Sequence, residues 1–196
     1  SMTAVLNDVQ SNFSQIVSTL TIPDVAYGVA EFDDYAVSPY GSSSWGDKPF
    51  ILGQQVTTDT GPVQTSLNSL YVRDGLDWPE AAMEGIFQAA TGRGYDQDCN
   101  GAYQWNTDVP PFVESPSDAF GGVVPGSYVS SGPGDRGGAG FRAGALPVIV
   151  YATDAELRDP DLGDPAPSAC SNPAGSSDAI SGVNQLGGKL IGLKVQ

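Results

Sequence analysis

Apolar side chains recur along the chain with two spacings, one typical of amphipathic helices and the other of buried strands. The helical spacing predicts four helices, at residues 3–20, at 62–70, from the stretch 77–80 onward and after Ser177-Asp178. The apolar runs predict four strands, at residues 25–32, 50–57, 146–152 and 189–195. The run at 146–152 is continuously apolar, as expected of a central strand covered on both faces. Strands that alternate with helices predict an α/β sandwich with a mostly parallel sheet.

The chain has 196 residues, which favours a single domain, and no internal repeat is visible. Residues 95–140 depart from the rest because they are rich in Gly, Pro, Ser and Asp and show no sustained period. We interpret this stretch as a long irregular insertion, ordered in part by its aromatic side chains. It is the part of the sequence that we expect to shape the choice of partner.

The net charge of −15 narrows the range of partners. Nucleic acids and anionic membranes attract basic patches, so neither is an expected partner of this acidic chain. No apolar run approaches the roughly 20 residues of a membrane span, and no signal peptide is visible. The excess of acid is explained either by a soluble acidic surface alone or in part by a cation site.

Acidic side chains are concentrated in three short stretches: Phe32-Asp33-Asp34-Tyr35, Asp77-Trp78-Pro79-Glu80 and Thr153-Asp154-Ala155-Glu156. Each lies where a strand is predicted to end or a helix to begin, and in an α/β sheet these positions share one edge. Taken singly, each stretch is also compatible with an ordinary turn or helix start. Mg²⁺ and Ca²⁺ prefer oxygen ligands, and the chain has no histidine for zinc or copper. Together the stretches predict a site for a hard divalent cation.

The same stretches resemble motifs of the von Willebrand factor A (vWA) domain, and within that group of the integrin β-subunit I-like domain. The segment Phe32-Asp33-Asp34-Tyr35-Ala36-Val37-Ser38-Pro39-Tyr40 resembles the integrin sequence Phe-Val-Asp-Lys-Pro-Val-Ser-Pro-Tyr. Asp77-Trp78-Pro79-Glu80 is similar to its Asp-x-Pro-Glu loop, and Thr153-Asp154-Ala155 to its Thr-Thr-Asp-Ala strand end. The resemblance covers most of the chain except 95–140. It implies a Rossmann-like three-layer sandwich with helices on both faces of the sheet.

The resemblance implies two metal sites. The first is a metal-ion-dependent adhesion site (MIDAS) for Mg²⁺ or Mn²⁺, with ligands at Ser1, Glu80 and Asp154. The second is a neighbouring Ca²⁺ site, with ligands at Asp34, Asp77, the carbonyl of Pro79 and the second oxygen of Glu80. At this second site Gly75 replaces the usual Asn, although Asp74 could substitute.

The start of the chain departs from the family pattern. The family motif Asp-x-Ser-x-Ser follows a first, central strand, and neither the strand nor the full motif is present. Ser1 matches the last residue of that motif, unless Ser1-Met2 is a cloning remnant. Ala4 and Val5 stand where acids would form a third site, so we expect that site to be missing. We therefore expect residues 1–196 to be one vWA-like domain truncated at both ends.

The resemblance implies cation-dependent protein binding, as in cell adhesion, without catalysis. One metal position would stay open for an Asp or Glu side chain of a protein ligand. Two alternatives are left open: a secreted structural domain whose acidic loops bind Ca²⁺ for stability only, and a metal-dependent hydrolase. A hydrolase needs a base or nucleophile beside the metal, and without histidine Glu156 or Asp33 would have to serve.

Cys99 and Cys170 both lie in polar loop sequence, which is more typical of one disulfide than of buried free thiols. Disulfides persist in oxidising compartments. The pair therefore predicts an extracellular or secreted protein, which could be anchored to a cell surface by parts outside this sequence. The lack of a Cys-x-x-Cys spacing argues against a redox or thiolate-metal role.

Overall fold

Helices and strands follow one another in the order that the apolar pattern predicts. The computed structural model describes residues 2–73, 75–104, 106–112, 134, 136–168 and 172–195. The elements are α1 (Met2–Thr19), β1 (Tyr27–Glu31), β2 (Ile51–Thr57), α2 (Thr60–Ser69), α3 (Ala82–Thr91), β3 (Val148–Thr153), a 3₁₀ turn (Pro160–Leu162), α4 (Ser176–Leu186) and β4 (Lys189–Lys194). The mixed α/β class is therefore confirmed.

The strands form two small sheets. β1 and β2 are antiparallel, with Glu31 opposite Ile51. β3 and β4 are parallel and in register, with Val148 opposite Lys189 at one end. Within the described residues no strand pairing joins the two sheets. The single, mostly parallel sheet that the sequence predicts is thus not confirmed.

Three apolar clusters pack the helices against these sheets. One buries side chains of α1, α2 and β1, among them Phe13, Val63 and Val29. Another joins α3 to α4 and lies against β3. The third contains Tyr35 and Tyr95, together with side chains of β2. None of the described helices combines the length and the apolar character needed to cross a membrane.

β3 is not the fully covered strand that its apolar sequence predicts. Val148 is 43% exposed and Val150 is 57% exposed, whereas Ile149 and Tyr151 pack against the α3–α4 cluster. Successive side chains of a strand point to opposite faces, so helices cover one face of β3 and the other is open among the described residues. Its neighbour β4 is exposed along its length. The prediction failed because an apolar run shows only that side chains suit burial, not what covers them.

α3 begins later than predicted, at Ala82 rather than within the stretch 77–80. Glu80 instead forms a parallel bridge with Leu157. The Glu80 N–H donates to the Glu156 carbonyl, and the Arg158 N–H donates to the Glu80 carbonyl. These extended contacts keep residues 77–80 out of the helix and join that loop to the segment after β3.

The predicted insertion at 95–140 is described only at its two flanks, since residues 113–133 lie outside the described residues. On the first flank Tyr95 pairs with Val109, and on the second Arg136 pairs with Phe141, both in antiparallel fashion. Main-chain pairing therefore holds both flanks of the insertion.

Candidate functional site

The three acidic stretches contact one another, although they are far apart in the sequence. The Ala81 N–H donates to the Asp33 carbonyl over 3.1 Å, which joins the first stretch to the residue after the second. The Glu80 N–H donates to the Glu156 carbonyl over 2.9 Å, which joins the second stretch to the third. Two of the stretches follow β1 and β3, and the other precedes α3, so the fold places them together.

A buried arginine lies among these stretches. Arg158 is only 2% exposed, and its Nη2 contacts Asp34 Oδ2 at 2.9 Å, Asp77 Oδ1 at 2.5 Å and the Pro79 carbonyl at 2.7 Å. Burial alone would lower the pKa of Arg158, but the hydrogen bond to Asp77 and the charge of Asp34 raise it. The guanidinium group therefore stays charged and neutralises part of the acidic group.

These are three of the four oxygens that the resemblance assigns to the neighbouring Ca²⁺ ion; the fourth belongs to Glu80. The structure thus brings Asp34, Asp77 and the Pro79 carbonyl together, but around a guanidinium group. Sequence reasoning missed Arg158, whose guanidinium group contacts oxygens of this group that lie 79 to 124 positions away along the chain. No local pattern signals contacts at such separations.

Glu80 has a carboxylate oxygen without a partner. Its Oε2 is buried and forms no hydrogen bond within the described residues. Burial, followed by the negative charges of Asp34, Asp33, Asp47 and Asp77, raises the pKa of Glu80 to about 8. A carboxylate in such surroundings is stabilised by a proton or by a cation. The unpartnered oxygen is therefore a candidate ligand for a hard divalent cation.

Asp33 and Asp47 add to the negative charge near Glu80. Asp33 Oδ2 lies 2.8 Å from Arg73 Nη1, and the same nitrogen lies 3.0 Å from Glu31 Oε2. Burial raises the pKa of Asp33 to about 7 despite this ion pair. Asp47 is fully buried, and its Oδ1 has no partner among the described residues. Carboxylates therefore outnumber guanidinium groups in this part of the molecule.

Asp154 lies after β3 and contacts the start of α1. Its Oδ2 accepts the Met2 N–H at 3.0 Å. The N-terminus of a helix carries a partial positive charge, so α1 stabilises a carboxylate at this position. Ser1, the remaining predicted ligand of the adhesion site, lies outside the described residues, as does Asp74.

The two residues considered as a hydrolytic base have different surroundings. Asp33 is bound by Arg73, as described above. Glu156 is exposed, and its main-chain carbonyl accepts the Glu80 N–H.

A second acidic group lies in the insertion and was not predicted. One carboxylate oxygen from each of Asp96, Asp98 and Asp108 lies within 4.8 Å of the others. Main-chain N–H groups of the same loop hold these side chains: Cys99 and Gly101 donate to Asp96, and Gln97 and Gln104 donate to Asp108. The loop therefore fixes three carboxylates close together, of which Asp98 is exposed, Asp96 is half-buried and Asp108 is buried.

The sequence contained a signal for this group. Asp96-Gln97-Asp98-Cys99-Asn100-Gly101 has oxygen-bearing side chains at alternate positions followed by Gly, as calcium-binding loops do. Gly101 has a φ of +78°, a conformation that favours glycine. Residues 95–140 were interpreted as irregular because they have no periodic apolar pattern. A metal-binding loop has no such pattern either, so this criterion does not detect one.

The same loop carries a covalent link. Cys99 is disulfide-bonded. Its predicted partner, Cys170, lies outside the described residues. A disulfide at Cys99 agrees with an oxidising compartment.

Comparison of the sequence with protein-family models gives no match, and comparison with curated proteins gives none either. The resemblance to vWA domains therefore depends on the motifs alone. Membership of that family is a proposal that the contacts described above support.

Proposed function

We propose that this protein binds a protein partner through a divalent cation, Mg²⁺ or Mn²⁺, held by Glu80 and Asp154. The observation that carries the proposal is the buried, unpartnered Oε2 of Glu80, which lies among other carboxylates. Ser1, outside the described residues, would be the third ligand by the resemblance. A cation here would neutralise charge that the described cationic side chains leave uncompensated.

We propose binding of a partner because only a few side chains of this chain would bind the ion. Mg²⁺ commonly binds one or two carboxylates and keeps several waters in its octahedral shell. A water position can therefore be taken by an acidic side chain of another protein. Binding of this kind requires an open position on the ion but does not require a catalytic group. We therefore propose binding without turnover.

The finer fold is part of the same proposal. We infer that the two sheets belong to one Rossmann-like vWA sheet with helices on both faces, in which a further strand lies between β1 and β3. The parallel pairing of β3 with β4 and the shared position of the acidic stretches support this inference. The disulfide at Cys99 supports an extracellular or secreted location.

The proposal is tested with Mn²⁺ and a small carboxylate probe. Mn²⁺ bound to the protein enhances water proton relaxation as long as water occupies its open positions. N-acetyl-aspartate amide should lower this enhancement by displacing water, whereas N-acetyl-asparagine amide should not. Equal effects of the two probes, or no bound Mn²⁺, would reject the proposal. Release of product from a phosphate or peptide ester under the same conditions would favour the hydrolase.

A second candidate is a structural domain that binds Ca²⁺ for stability only. The observation that favours it is the group of Asp96, Asp98 and Asp108, whose oxygens lie within 4.8 Å of one another. Calorimetric titration with Ca²⁺ distinguishes the candidates. A Ca²⁺ site that Asp98→Asn removes, in a protein that binds no Mn²⁺ through Glu80, would favour the structural domain.

A further inference from the structure

Arg158 is held by contacts at its main chain and at its guanidinium group. The side chain is 1% exposed, and its Nη1 donates to the Pro165 carbonyl at 2.7 Å. The guanidinium carbon lies 4.6 Å from the centroid of the Tyr40 ring. The main-chain N–H of Arg158 donates to the Glu80 carbonyl at 2.8 Å. Contacts to the main chain, to the guanidinium plane and to its nitrogens therefore fix the position of this residue.

The residues of the implied Ca²⁺ site do not fit that ion while Arg158 is in place. Ca²⁺ lies about 2.3–2.6 Å from its oxygen ligands. Nη2 of Arg158 already lies 2.5–2.9 Å from Asp34 Oδ2, Asp77 Oδ1 and the Pro79 carbonyl. An ion bound by these oxygens would occupy the position of this nitrogen and would be repelled by its charge.

We propose that the side chain of Arg158 takes the place of the second metal ion. Its guanidinium group binds the oxygens that would otherwise bind Ca²⁺, and it fixes residues 77–80 so that Glu80 is held in position. Arg158 is a positioning residue in this role, because it acts through Glu80. The part that concerns Glu80 rests on the proposed function; the replacement of an ion by Arg158 does not.

This arrangement has a consequence for ion dependence. A guanidinium group tethered to the chain is present at every Ca²⁺ concentration, whereas a bound ion is lost when Ca²⁺ is withdrawn. The loop that carries Glu80 should therefore hold its conformation without Ca²⁺. Binding of the partner should therefore require only the ion at Glu80, which can be Mg²⁺ or Mn²⁺. Added Ca²⁺ should not strengthen this binding.

The test is whether Ca²⁺ replaces the missing side chain in Arg158→Ser. The parent for this test carries Asp98→Asn, so that the acidic loop does not contribute a Ca²⁺ response, and all samples contain Mg²⁺ to fill the site at Glu80. We expect Arg158→Ser to lower the Tm of this parent by about 10 °C, because it leaves buried carboxylates without their cation. Millimolar Ca²⁺ should recover most of this loss and should leave the Tm of the parent unchanged.

Two further variants make the result specific. Adding Asp77→Asn to Arg158→Ser removes an oxygen ligand and should abolish the recovery by Ca²⁺. Arg158→Lys keeps the charge, so its Tm should not respond to Ca²⁺. If Arg158→Ser folds only in the presence of Ca²⁺, refolding yield with and without the ion replaces the Tm as readout. A Ca²⁺ response of equal size in the parent, or none in Arg158→Ser, would overturn the proposal.

Because these readouts do not involve a partner, they stay separate from the proposed function. Failure of Mn²⁺ to bind through Glu80 would remove the proposed function and leave the Ca²⁺ response of Arg158→Ser intact. Failure of the Ca²⁺ response would remove the role of Arg158 and leave Mn²⁺ binding intact.

Discussion

The two acidic groups of this molecule differ in how they are assembled and in what neutralises them. We call Asp34, Asp77, Glu80 and Arg158 the Arg158 cluster, and residues 96–108 the Asp98 loop. The Arg158 cluster joins segments 81 to 124 residues apart and contains a buried guanidinium group. In the Asp98 loop, N–H groups only 2 to 11 residues away bind the carboxylates. The first group therefore depends on the whole fold, and the second depends on the conformation of one loop.

The difference predicts that equivalent substitutions have very unequal effects on stability. Asp34 is fully buried against Arg158, and removal of one partner of a buried ion pair typically costs about 3–5 kcal/mol. We expect Asp34→Asn to lower the free energy of unfolding by about 3 kcal/mol, the low end, because Arg158 keeps Asp77. Urea denaturation at neutral pH measures this loss.

The matched control for this prediction is Asp24→Asn. Asp24 forms an ion pair with Arg142, but its side chain is 77% exposed. Exposed pairs contribute little, so this variant should stay within about 1 kcal/mol of the parent. Similar losses for Asp24→Asn and Asp34→Asn would show that the Arg158 cluster is no more important to the fold than a surface pair.

The second prediction concerns the pH dependence of stability in EDTA. The pKa of Glu80 is raised from 4.5 to about 8 in the folded protein, chiefly by burial. The unfolded chain should ionise near the ordinary value, so between these pH values the unfolded state binds fewer protons and stability falls as pH rises. Asp33, whose pKa burial raises to about 7, acts in the same direction.

Thermal unfolding between pH 5 and pH 8.5 measures this dependence, because these carboxyl groups titrate over about this range. The Tm should fall across the range, and Glu80→Gln should flatten the fall because its side chain does not titrate. Saturating Mg²⁺ should also flatten it in the parent, since the cation favours the ionised carboxylate. A Tm that rises with pH in EDTA would contradict the account of the buried carboxylates.

The smallest effect is expected in the Asp98 loop. In EDTA, Asp98→Asn should change the free energy of unfolding by no more than about 0.5 kcal/mol, because Asp98 is exposed and Asn keeps an oxygen. In Ca²⁺, any rise in the Tm of the parent should be reduced in this variant. Asp8→Asn, on the exposed face of α1, is the control and should leave the Ca²⁺ response unchanged.

Sequence reasoning succeeded where local pattern decides structure. α1 was predicted from apolar positions such as Val9, Phe13 and Val17, and the side chains of all three take part in one apolar cluster. The same reasoning placed the four strands within a few residues of their observed positions. Amphipathic spacing is a property of the chain itself, so these elements need no knowledge of tertiary contacts.

Sequence reasoning failed where a distant segment decides structure. Pro79 suits the first turn of a helix, yet the bridge from Glu80 to Leu157 keeps this stretch out of the helix. The sequence around Arg158 does not reveal its role, because the oxygens that its guanidinium group contacts in the cluster lie 79 to 124 residues away. The Asp98 loop is a different case, since its alternating oxygen-bearing side chains are visible in the sequence itself. Ser1 and Cys170 stay predictions, because both lie outside the described residues.

The most direct test of the central claim is Mn²⁺ binding measured by electron paramagnetic resonance in the Asp98→Asn parent. The account predicts one bound Mn²⁺, with affinity lowered at least about tenfold by Glu80→Gln and by Asp154→Asn. Glu156→Gln removes an exposed carboxylate two residues after Asp154 and should leave the affinity unchanged. Mn²⁺ affinity that is the same in the parent and in Glu80→Gln would contradict the claim that Glu80 holds the ion.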